Sequence, residues 1–229
     1  MILAKDLNSF IKISAYLREY LLQEKFTSGI HNNAKSWFRK IKNIFSRIVI
    51  LLEELFNFAR LINFDKQIEL IDLNQTLNDI LSDFKFVIEN KHAEIRSDRL
   101  PVIRAISLQM KELFCHLISN SLKFSKRNVQ PVITITSRII PENELKRYYP
   151  LDGPLTYNEI VFKDNGLGFN PKYADEIFVI FKHLRSGKNY YGTGIGLALC
   201  KKIVEIHKGL IFAESKENKG ASFHIILPL

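Results

Sequence analysis

Residues 190–209 read "YYGTGIGLALCKKIVEIHKG", and this stretch decides the fold of the C-terminal part of the chain. It holds three glycines within five residues, Gly192, Gly194 and Gly196, followed by aliphatic residues at helical spacing. Glycine has no side chain, so the backbone of this loop can approach a ligand closely. Because the free N–H groups and the dipole at a helix start attract anions, the stretch predicts a phosphate-binding loop. The alternative is a glycine-rich turn before a buried helix.

The composition limits the class of protein to which the chain can belong. Its 229 residues are 46% hydrophobic and 25% charged, as expected for one large or two small globular domains. The aliphatic run Ile48–Leu52 is far too short to cross a membrane, and the N-terminus lacks the apolar core of a secretory signal. Cys115 and Cys200 lack metal-ligand spacing, so we expect reduced thiols. These features predict a cytoplasmic protein with no membrane segment in this chain.

The chain is basic, with a net charge of +9 and a pI of about 9.4. Such a balance suits a protein that binds nucleic acid, a polyphosphate or an acidic partner. The basic residues of the first 66 positions are scattered along helical faces and are not interleaved with exposed aromatics. No helix-turn-helix, zinc-finger or RNA-binding signature is present in the sequence. We therefore expect no nucleic-acid partner.

Residues 1–66 are predicted to form a helical hairpin. The first helix has its apolar residues at alternating spacings of four and three, the pattern of a coiled-coil seam, and "FTSGIHNN" at 26–33 supplies the turn. Since two helices cannot bury two wide apolar faces alone, we expect a homodimeric four-helix bundle. The alternative is that the hairpin packs only on the rest of this chain. The apolar stripes contain Leu3, Leu7, Phe10, Ser14, Leu17 and Leu21, then Ile41, Ile44, Phe45, Ile48, Leu52, Leu55, Phe58 and Ile62.

Residues 67–229 are predicted to form an α/β sandwich with a mixed sheet, which makes the whole chain an α+β protein. Alternating and aliphatic runs predict strands, and apolar residues at helical spacing predict helices. The first half is expected to contain a strand at 68–73, a helix capped by Asn74 that continues to Ile88, a hairpin-like pair of strands within 93–106, and a helix from Ser107 to about Ser125. The second half is expected to contain strands at 132–140 and 158–166, the helix after the glycine loop, and two closing strands within 210–229.

Three motifs upstream of the glycine loop carry polar or aromatic residues at defined positions. "ELFCHLISNSLKFSK" at 112–126 is a helix with four such residues on one face, and "KDNGLGF" at 163–169 places an acid at a strand end. "IFVIFKHLRSGKN" at 177–189 directly precedes the loop. In this order and spacing the four motifs resemble the N, G1, F and G2 boxes of sensor histidine kinases. The resemblance is carried by His116, Asn120, Lys123 and Phe124 on the helix, Asp164, Gly166 and Gly168 after the strand, and Thr193, Gly194 and Gly196 in the loop.

The resemblance extends over essentially the whole chain. The hairpin at 1–66 resembles the dimerisation and phosphotransfer domain of these kinases. Residues 67–229 resemble their ATP-binding catalytic domain, whose superfamily includes gyrase and the heat-shock chaperones. The resemblance implies ATP and Mg2+ as cofactors and transfer of the γ-phosphoryl group to a histidine. It also implies a response regulator receiver domain as a partner, and a homodimer or a heterodimer with another histidine kinase.

The residue types suit the roles that the resemblance implies for the base and the metal. The carboxylate of Asp164 accepts hydrogen bonds at neutral pH and matches the exocyclic amino group of adenine, with a turn-capping acid as the alternative. Gly166 and Gly168 let the backbone approach the base and the sugar. The amide oxygen of Asn120 is a hard ligand suited to Mg2+, with a helix-surface amide as the alternative.

The remaining motif residues are assigned to the phosphates. Lys123 brings a positive charge to phosphate oxygens, while Thr193, Gly194 and Gly196 meet the phosphates at the helix start. Phe124 lies against the nucleotide or belongs to the core.

The segment before the glycine loop is predicted to be a mobile lid over the phosphates. Phe178 and Phe181 are expected to hold a lid that runs roughly from residue 182 to residue 191. Arg185 and Lys188 add positive charge to it, with solvated loop residues as the alternative.

The chain departs from the family pattern where the phosphoacceptor histidine is expected. The family signature resembles H-D-L-x-x-P-L, whereas residues 4–12 are "AKDLNSFIK". Lys5 occupies the acceptor position, or Ala4 if the alignment shifts by one residue, and Asp6 is the neighbouring acid that would orient or deprotonate the imidazole. A lysine amine is protonated at pH 7, with an ordinary pKa of about 10.4, and an ammonium group has no lone pair to attack phosphorus. No histidine precedes His31, which lies in the predicted turn.

Three functions are compatible with these features. The first is a histidine kinase core that binds ATP-Mg for phosphoryl transfer to a histidine, and that would need an unconventional acceptor to phosphorylate itself. The second is a degenerate ATP-binding pseudokinase that dimerises with a partner kinase and regulates it. The third is another user of the same ATP fold, such as a serine kinase that regulates a sigma factor or a gyrase-like ATPase. The first is our prediction.

His116 and the helical hairpin argue against the third function. His116 stands four residues before Asn120, where gyrase-like hydrolases carry a glutamate base and histidine kinases more often have an asparagine. A histidine there would contact a phosphate or a water on Mg2+. The paired coiled-coil seams are likewise a feature of the kinases.

Overall fold

The structure is a computed structural model of the chain, and it describes residues 67–145, 156–182, 184 and 193–229 together with seven positions between 41 and 56. The chain divides into two compact units, Met1–Arg60 and Leu61–Leu229. All seven described positions of the first unit are helical. The predicted first helix, the turn at 26–33, most of the second helix and the acceptor region with Ala4, Lys5 and Asp6 lie outside the described residues.

The described part of the second unit alternates strands and helices. None of its helices is long and apolar enough to cross a membrane. The first half contains β1 (Glu69–Asp72), α1 (Leu73–Asp83), α2 (Lys85–Lys91), β2 (Glu94–Ser97), β3 (Val102–Ala105) and α3 (Ser107–Lys123). The second half contains β4 (Val132–Ile140), α4 (Glu142–Leu145), β5 (Tyr157–Asp164), α5 (Gly196–Ile206), β6 (Leu210–Lys216) and β7 (Gly220–Pro228), with short 3-10 turns at Pro171–Tyr173 and Glu176–Phe178.

A five-stranded mixed sheet forms the centre of this unit. Its strand order is β2-β4-β5-β7-β6, with β2 parallel to β4 and the other neighbours antiparallel. The prediction of a mixed sheet with helices is confirmed. The strands expected at 132–140 and around the Lys-Gly turn are also present, and the strand expected within 158–166 is present as Tyr157–Asp164, followed by the predicted turn.

The core lies between one face of the sheet and the two helices α3 and α5. The ring of Phe114 on α3 meets the ring of Phe162 on β5 edge-on, with 5.0 Å between ring centroids. Leu117 of α3 and Ile203 of α5 are completely buried as well. Burial of each such side chain contributes about 1.5–3 kcal/mol. This packing holds α3 and α5 in place, and both helices carry predicted site residues.

The predicted hairpin within residues 93–106 is wrong. β2 pairs in parallel with β4, with Glu94 opposite Val132, whereas β3 pairs with β1 in a separate two-stranded antiparallel sheet. The backbone between them turns toward the start of α1, because the Asn74 side chain accepts from the Leu100 N–H and donates to the Leu100 carbonyl, both at 2.8 Å. The two strands therefore separate instead of folding back on each other.

The predicted start of the helix after β1 is also wrong by two residues. Asp72, not Asn74, is the N-cap, and its carboxylate accepts from the Asn74 N–H at 2.8 Å. The expected continuous helix to Ile88 is interrupted at Phe84, which ends α1 and precedes α2. An N-cap side chain must reach the free N–H groups of the first turn. Asp72 directly precedes the first helical residue, Leu73, and its carboxylate reaches them.

Candidate functional site

Asp164 lies at the end of the central strand β5 and is half-buried. Its Oδ1 atom accepts hydrogen bonds from the N–H groups of Gly166, at 2.8 Å, and Ala221, at 3.2 Å. Its Oδ2 atom accepts one from the Ser121 hydroxyl at 3.4 Å. Burial is the main influence on this carboxyl and raises its pKa, while the three donors act in the opposite direction. The strand end thus presents an oriented acceptor in a partly dry position.

The loop after Asp164 is joined to the end of α3. The Leu167 N–H donates to the Phe124 carbonyl at 2.9 Å. A Cβ at Gly166 would lie 2.6 Å from the same Phe124 oxygen, so any other residue there would force the loop away from the helix. Gly166 therefore allows the close contact that places the carboxylate of Asp164 beside α3.

Gly168 has a packing role that the sequence did not indicate. Its φ is +57°, and a Cβ there would come within 2.2 Å of the Lys216 carbonyl oxygen. Gly220, at the β6–β7 turn, has a φ of +99°, and its Cβ would lie 1.9 Å from the Asp164 carbonyl oxygen. The two glycines let the β6–β7 turn pack against the loop that follows Asp164. The sequence predicts Gly220 only as part of a turn.

Asn165 is a further residue that the sequence analysis missed. Its Oδ1 atom accepts from the Val132 N–H at 3.0 Å, and its Nδ2 group donates to the Gln130 carbonyl at 2.9 Å. These bonds tie the loop to the start of β4. The available signal was its position between Asp164 and Gly166, since asparagine is frequent in turns and bonds readily to nearby backbone.

The helix α3 carries the next group of predicted residues. Asn120 is half-buried, and within residues 67–145, 156–182 and 193–229 its side-chain amide has no hydrogen-bond partner. Lys123 and Phe124 are also half-buried, with the Lys123 Nζ atom 4.9 Å from the centroid of the Phe124 ring. The Asn120 amide is therefore available to a ligand, and the lysine lies about one turn further along the same helix.

His116, one turn earlier on α3, lies against the start of α5. Its Nε2 atom is 3.7 Å from Glu112 Oε2, an ion pair only when the imidazole is protonated. On the other side of the ring, a Cβ at Gly196 would lie 2.9 Å from His116 Nδ1. This contact joins two predicted site residues that are far apart in the sequence.

The backbone before α5 bends sharply. Gly194 has a φ of +76°, and its carbonyl accepts from the Phe181 N–H at 3.0 Å. Thr193 Oγ1 accepts from the Ile195 N–H at 3.4 Å. Phe178 is buried, whereas Phe181 is about half exposed. The lid predicted at 182–191 lies outside the described residues, apart from positions 182 and 184.

The predicted site residues that lie in the described part of the chain therefore meet around α3. The loop of Asp164 and Gly166 contacts the end of the helix through Ser121 and Phe124. The start of α5 contacts the middle of the helix through His116. Among the described residues no three His, Cys, Asp or Glu side chains form a group that could hold a metal ion. Lys5, Asp6, Arg185 and Lys188 lie outside those residues.

A family model described as "Histidine kinase-, DNA gyrase B-, and HSP90-like ATPase" matches residues 105–229, more than half of the chain. The phytochrome-like protein Cph1 of Synechocystis is 29% identical over 95% of this chain and 27% of its own length. The sensor protein kinase WalK of Staphylococcus haemolyticus is 28% identical over 86% of this chain and 31% of its own length. The chain thus spans less than a third of the length of these relatives.

Solved structures share the fold. Full-length ShkA, in complex with AMPPNP, matches 98% of this chain and 45% of its own with a TM-score of 0.64 at 18% identity. The catalytic domain of the histidine kinase ThkA matches 71% of this chain and 97% of its own with a TM-score of 0.55 at 21% identity. The resemblance to sensor histidine kinases is confirmed, and the chain belongs to the histidine kinase-, DNA gyrase B- and HSP90-like ATPase family.

Proposed function

We propose that this chain is the core of a histidine kinase of a two-component system, which binds ATP with Mg2+ and transfers the γ-phosphoryl group to a histidine. The observation that carries the proposal is the environment of Asp164. Its Oδ1 atom is occupied by two backbone donors, whereas among the residues that the structure describes Oδ2 has only the Ser121 hydroxyl, at 3.4 Å. A carboxylate oxygen accepts about two hydrogen bonds, so Oδ2 keeps room for one further donor.

The exocyclic amino group of adenine is that donor. It meets the Oδ2 atom of Asp164, and the close packing of Gly166 against α3 limits the space in which the base fits. Gly168 and Phe124 border the base and the sugar. The structure of ShkA with AMPPNP, an ATP analogue bound to that protein, supports the choice of an adenine nucleotide.

The phosphates and the metal extend from the base toward α5. Asn120 offers the amide oxygen that binds Mg2+, and the phosphates and water supply the remaining ligands that this ion prefers. Lys123 neutralises phosphate charge. We assign the phosphate oxygens to the N-terminus of α5, where Thr193, Gly194 and Gly196 lie, because the backbone N–H groups and the dipole at a helix start attract anions.

His116 lies between the metal side and the phosphate side of this site. Its ring is one helical turn from Asn120 and is in contact with Gly196. We assign it to a phosphate oxygen or to a water on Mg2+. A neutral imidazole donates a hydrogen bond from one ring nitrogen and accepts one at the other.

The acceptor of the phosphoryl group is a histidine that this chain does not supply at the usual position. In the transfer, the bond between the γ-phosphorus and the bridging oxygen of ADP breaks as an imidazole nitrogen attacks, and the imidazole N–H proton leaves to a base. Asp6 is placed by the sequence to serve as that base, but Lys5 or Ala4 stands beside it. We therefore assign the acceptor to a partner kinase, with a receiver domain as the final recipient.

The helical unit supports a dimer. On its described positions, Ile41, Ile44, Ile48 and Leu52 are between 36% and 58% exposed, although they belong to one apolar stripe. A second pair of helices would cover this stripe, from another copy of the chain or from another histidine kinase.

Incubation with γ-labelled ATP and Mg2+ tests the proposal, with nucleotide binding measured in parallel. We expect binding of ATP and no binding by Asp164→Asn. We also expect acid-labile, base-stable label on a kinase-inactive partner carrying the histidine, but none on the chain alone. Binding without label on any partner would favour the pseudokinase, and label on the chain alone would identify an acceptor within it.

A pair of variants at Lys5 distinguishes the lack of an acceptor histidine from a defect in the catalytic site. Lys5→His restores an imidazole at the acceptor position, and we expect it to gain acid-labile label. Lys5→Ala should gain none. If Lys5→His binds ATP and stays unlabelled, His116 or the geometry of the helices is also defective, and label on a partner remains the test of the kinase proposal.

A further inference from the structure

Ser121 lies beside Asp164 in the proposed nucleotide site, although the sequence motifs assigned it no role. It occupies the position after Asn120 on α3 and is only 3% exposed. Its hydroxyl donates to Asp164 Oδ2 at 3.4 Å, across 43 residues of sequence. Within the part of the chain that the structure describes, this is the one donor to Oδ2 and the one side-chain donor to the whole carboxylate.

The two carboxylate oxygens of Asp164 differ in the groups that hold them. Oδ1 is held by backbone N–H groups that no side-chain substitution removes. Among the described residues, Oδ2 is oriented by the Ser121 hydroxyl alone, and the distance of 3.4 Å is at the long end for a hydrogen bond between oxygens. Such a bond directs the oxygen without filling both of its lone pairs, so one acceptor direction stays open toward the site.

We infer that Ser121 is a positioning residue that sets the preference of this site for a base with an amino donor, by fixing the orientation of Asp164 Oδ2. This inference rests on the proposed function, since it assumes that Asp164 receives the adenine amino group. Without the hydroxyl, the carboxylate would lose a donor in a half-buried position and could rotate away from the base.

Loss of the Ser121 hydroxyl should weaken nucleotide binding by an amount that depends on the base. A long hydrogen bond from a neutral hydroxyl to a carboxylate in a partly buried site corresponds to about a three- to tenfold change in a dissociation constant. An ATP analogue with purine in place of adenine has a hydrogen where adenine has its amino group. It cannot donate to Oδ2, so the orientation of that atom should not affect its binding.

The test compares the dissociation constants of ATP and purine riboside triphosphate, with Mg2+, for the intact chain and two variants. Ser121→Ala removes one buried oxygen and nothing else. The matched control is Ser125→Ala, which removes a hydroxyl near the same helix end that bonds to the Leu122 carbonyl and the Lys91 ammonium, not to Asp164. We expect Ser121→Ala to weaken ATP about three- to tenfold and to leave the purine analogue within about twofold. Ser125→Ala should change neither.

The other outcomes overturn the inference in distinguishable ways. Equal weakening of both nucleotides by Ser121→Ala would mean that the hydroxyl only supports the fold. Unchanged ATP binding by Ser121→Ala would mean that Oδ2 is oriented without it. Failure of the unmodified chain to bind ATP would overturn the proposed function as well.

Discussion

The imidazole of His116 lies directly against the backbone of Gly196, so that a Cβ at Gly196 would come within 2.9 Å of the His116 Nδ1 atom. The contact joins the middle of α3 to the first residue of α5. Glycine at the helix start therefore serves the fit of the histidine ring as well as the open approach to phosphates.

Gly196→Ala tests this contact. We expect the variant to lower the free energy of unfolding by about 1–3 kcal/mol, the usual cost of an extra methyl group in a packed site. The measurement is urea unfolding. The double variant Gly196→Ala/His116→Ala should recover most of the loss, since contacting residues couple by about 0.5–3 kcal/mol. His116→Ala alone is the control, and strict additivity of the two single effects would refute the contact.

Asp164→Asn should separate stability from binding. Burial raises the folded-state pKa of Asp164 above its ordinary value of 3.8, so folding favours the protonated form. The contribution of this carboxyl to stability is therefore present below its ordinary pKa and is lost as the pH rises through the raised value. Near pH 7 the charged carboxylate therefore costs stability, and Asp164→Asn should raise the free energy of unfolding.

The side-chain amide introduced by Asp164→Asn would still accept from the Gly166 and Ala221 N–H groups, but its NH2 group would face the adenine amino group in the direction of Oδ2. Binding of ATP should be lost while the fold remains. The stability gain should shrink as the pH falls toward 3.8, measured by urea unfolding at several pH values. Asp79→Asn, on the exposed side of α1, makes the same charge change away from the site and is the control, which should leave ATP binding intact. Tight ATP binding by Asp164→Asn would show that the site is misplaced.

Asn165→Ala should loosen the loop that carries Asp164. It removes both side-chain bonds, to the Val132 N–H and the Gln130 carbonyl, and we expect a loss of about 1–3 kcal/mol in unfolding free energy. Hydrogen exchange at the Val132 amide should accelerate. Asn165→Asp keeps an oxygen that accepts from the Val132 N–H, and should therefore keep this amide protected from exchange. Equal exchange in the two variants would contradict the hydrogen bond between Val132 and Asn165.

Gly220→Ala should be the most damaging of these changes. The position has a φ of +99°, and a Cβ there would lie 1.9 Å from the Asp164 carbonyl oxygen. The three nearest atoms all belong to the backbone of Asp164 and Asn165, which cannot move aside as a flexible side chain can. We therefore expect a loss of about 3 kcal/mol or more in unfolding free energy, with ATP binding weakened in the fraction that folds. Lys219→Ala, at the exposed neighbouring position, is the control. A stable Gly220→Ala variant would mean that the turn does not pack on Asp164.

The sequence predicted most of the strands and helices of the second unit because their signals are local. The alternation in "VITITSRII" and the helical spacing after Gly196 each lie within one element, and both elements are present. Asp164 also lies at a strand end, as the sequence predicted, because the end of β5 is a local feature. The failures occurred at connections, where the cap at Asp72 and the partners of β2 and β3 depend on contacts with distant residues.

By itself, the sequence determined where the elements and the motif residues lie, since periodicity and turn chemistry act over a few neighbouring positions. Only the tertiary structure decided which of these residues meet. Packing of α3 and α5 on the sheet brings His116 to Gly196 and Ser121 to Asp164, and these pairs have no common sequence signal. Close packing selects such partners by shape, and shape is a property of the folded core and not of any one segment.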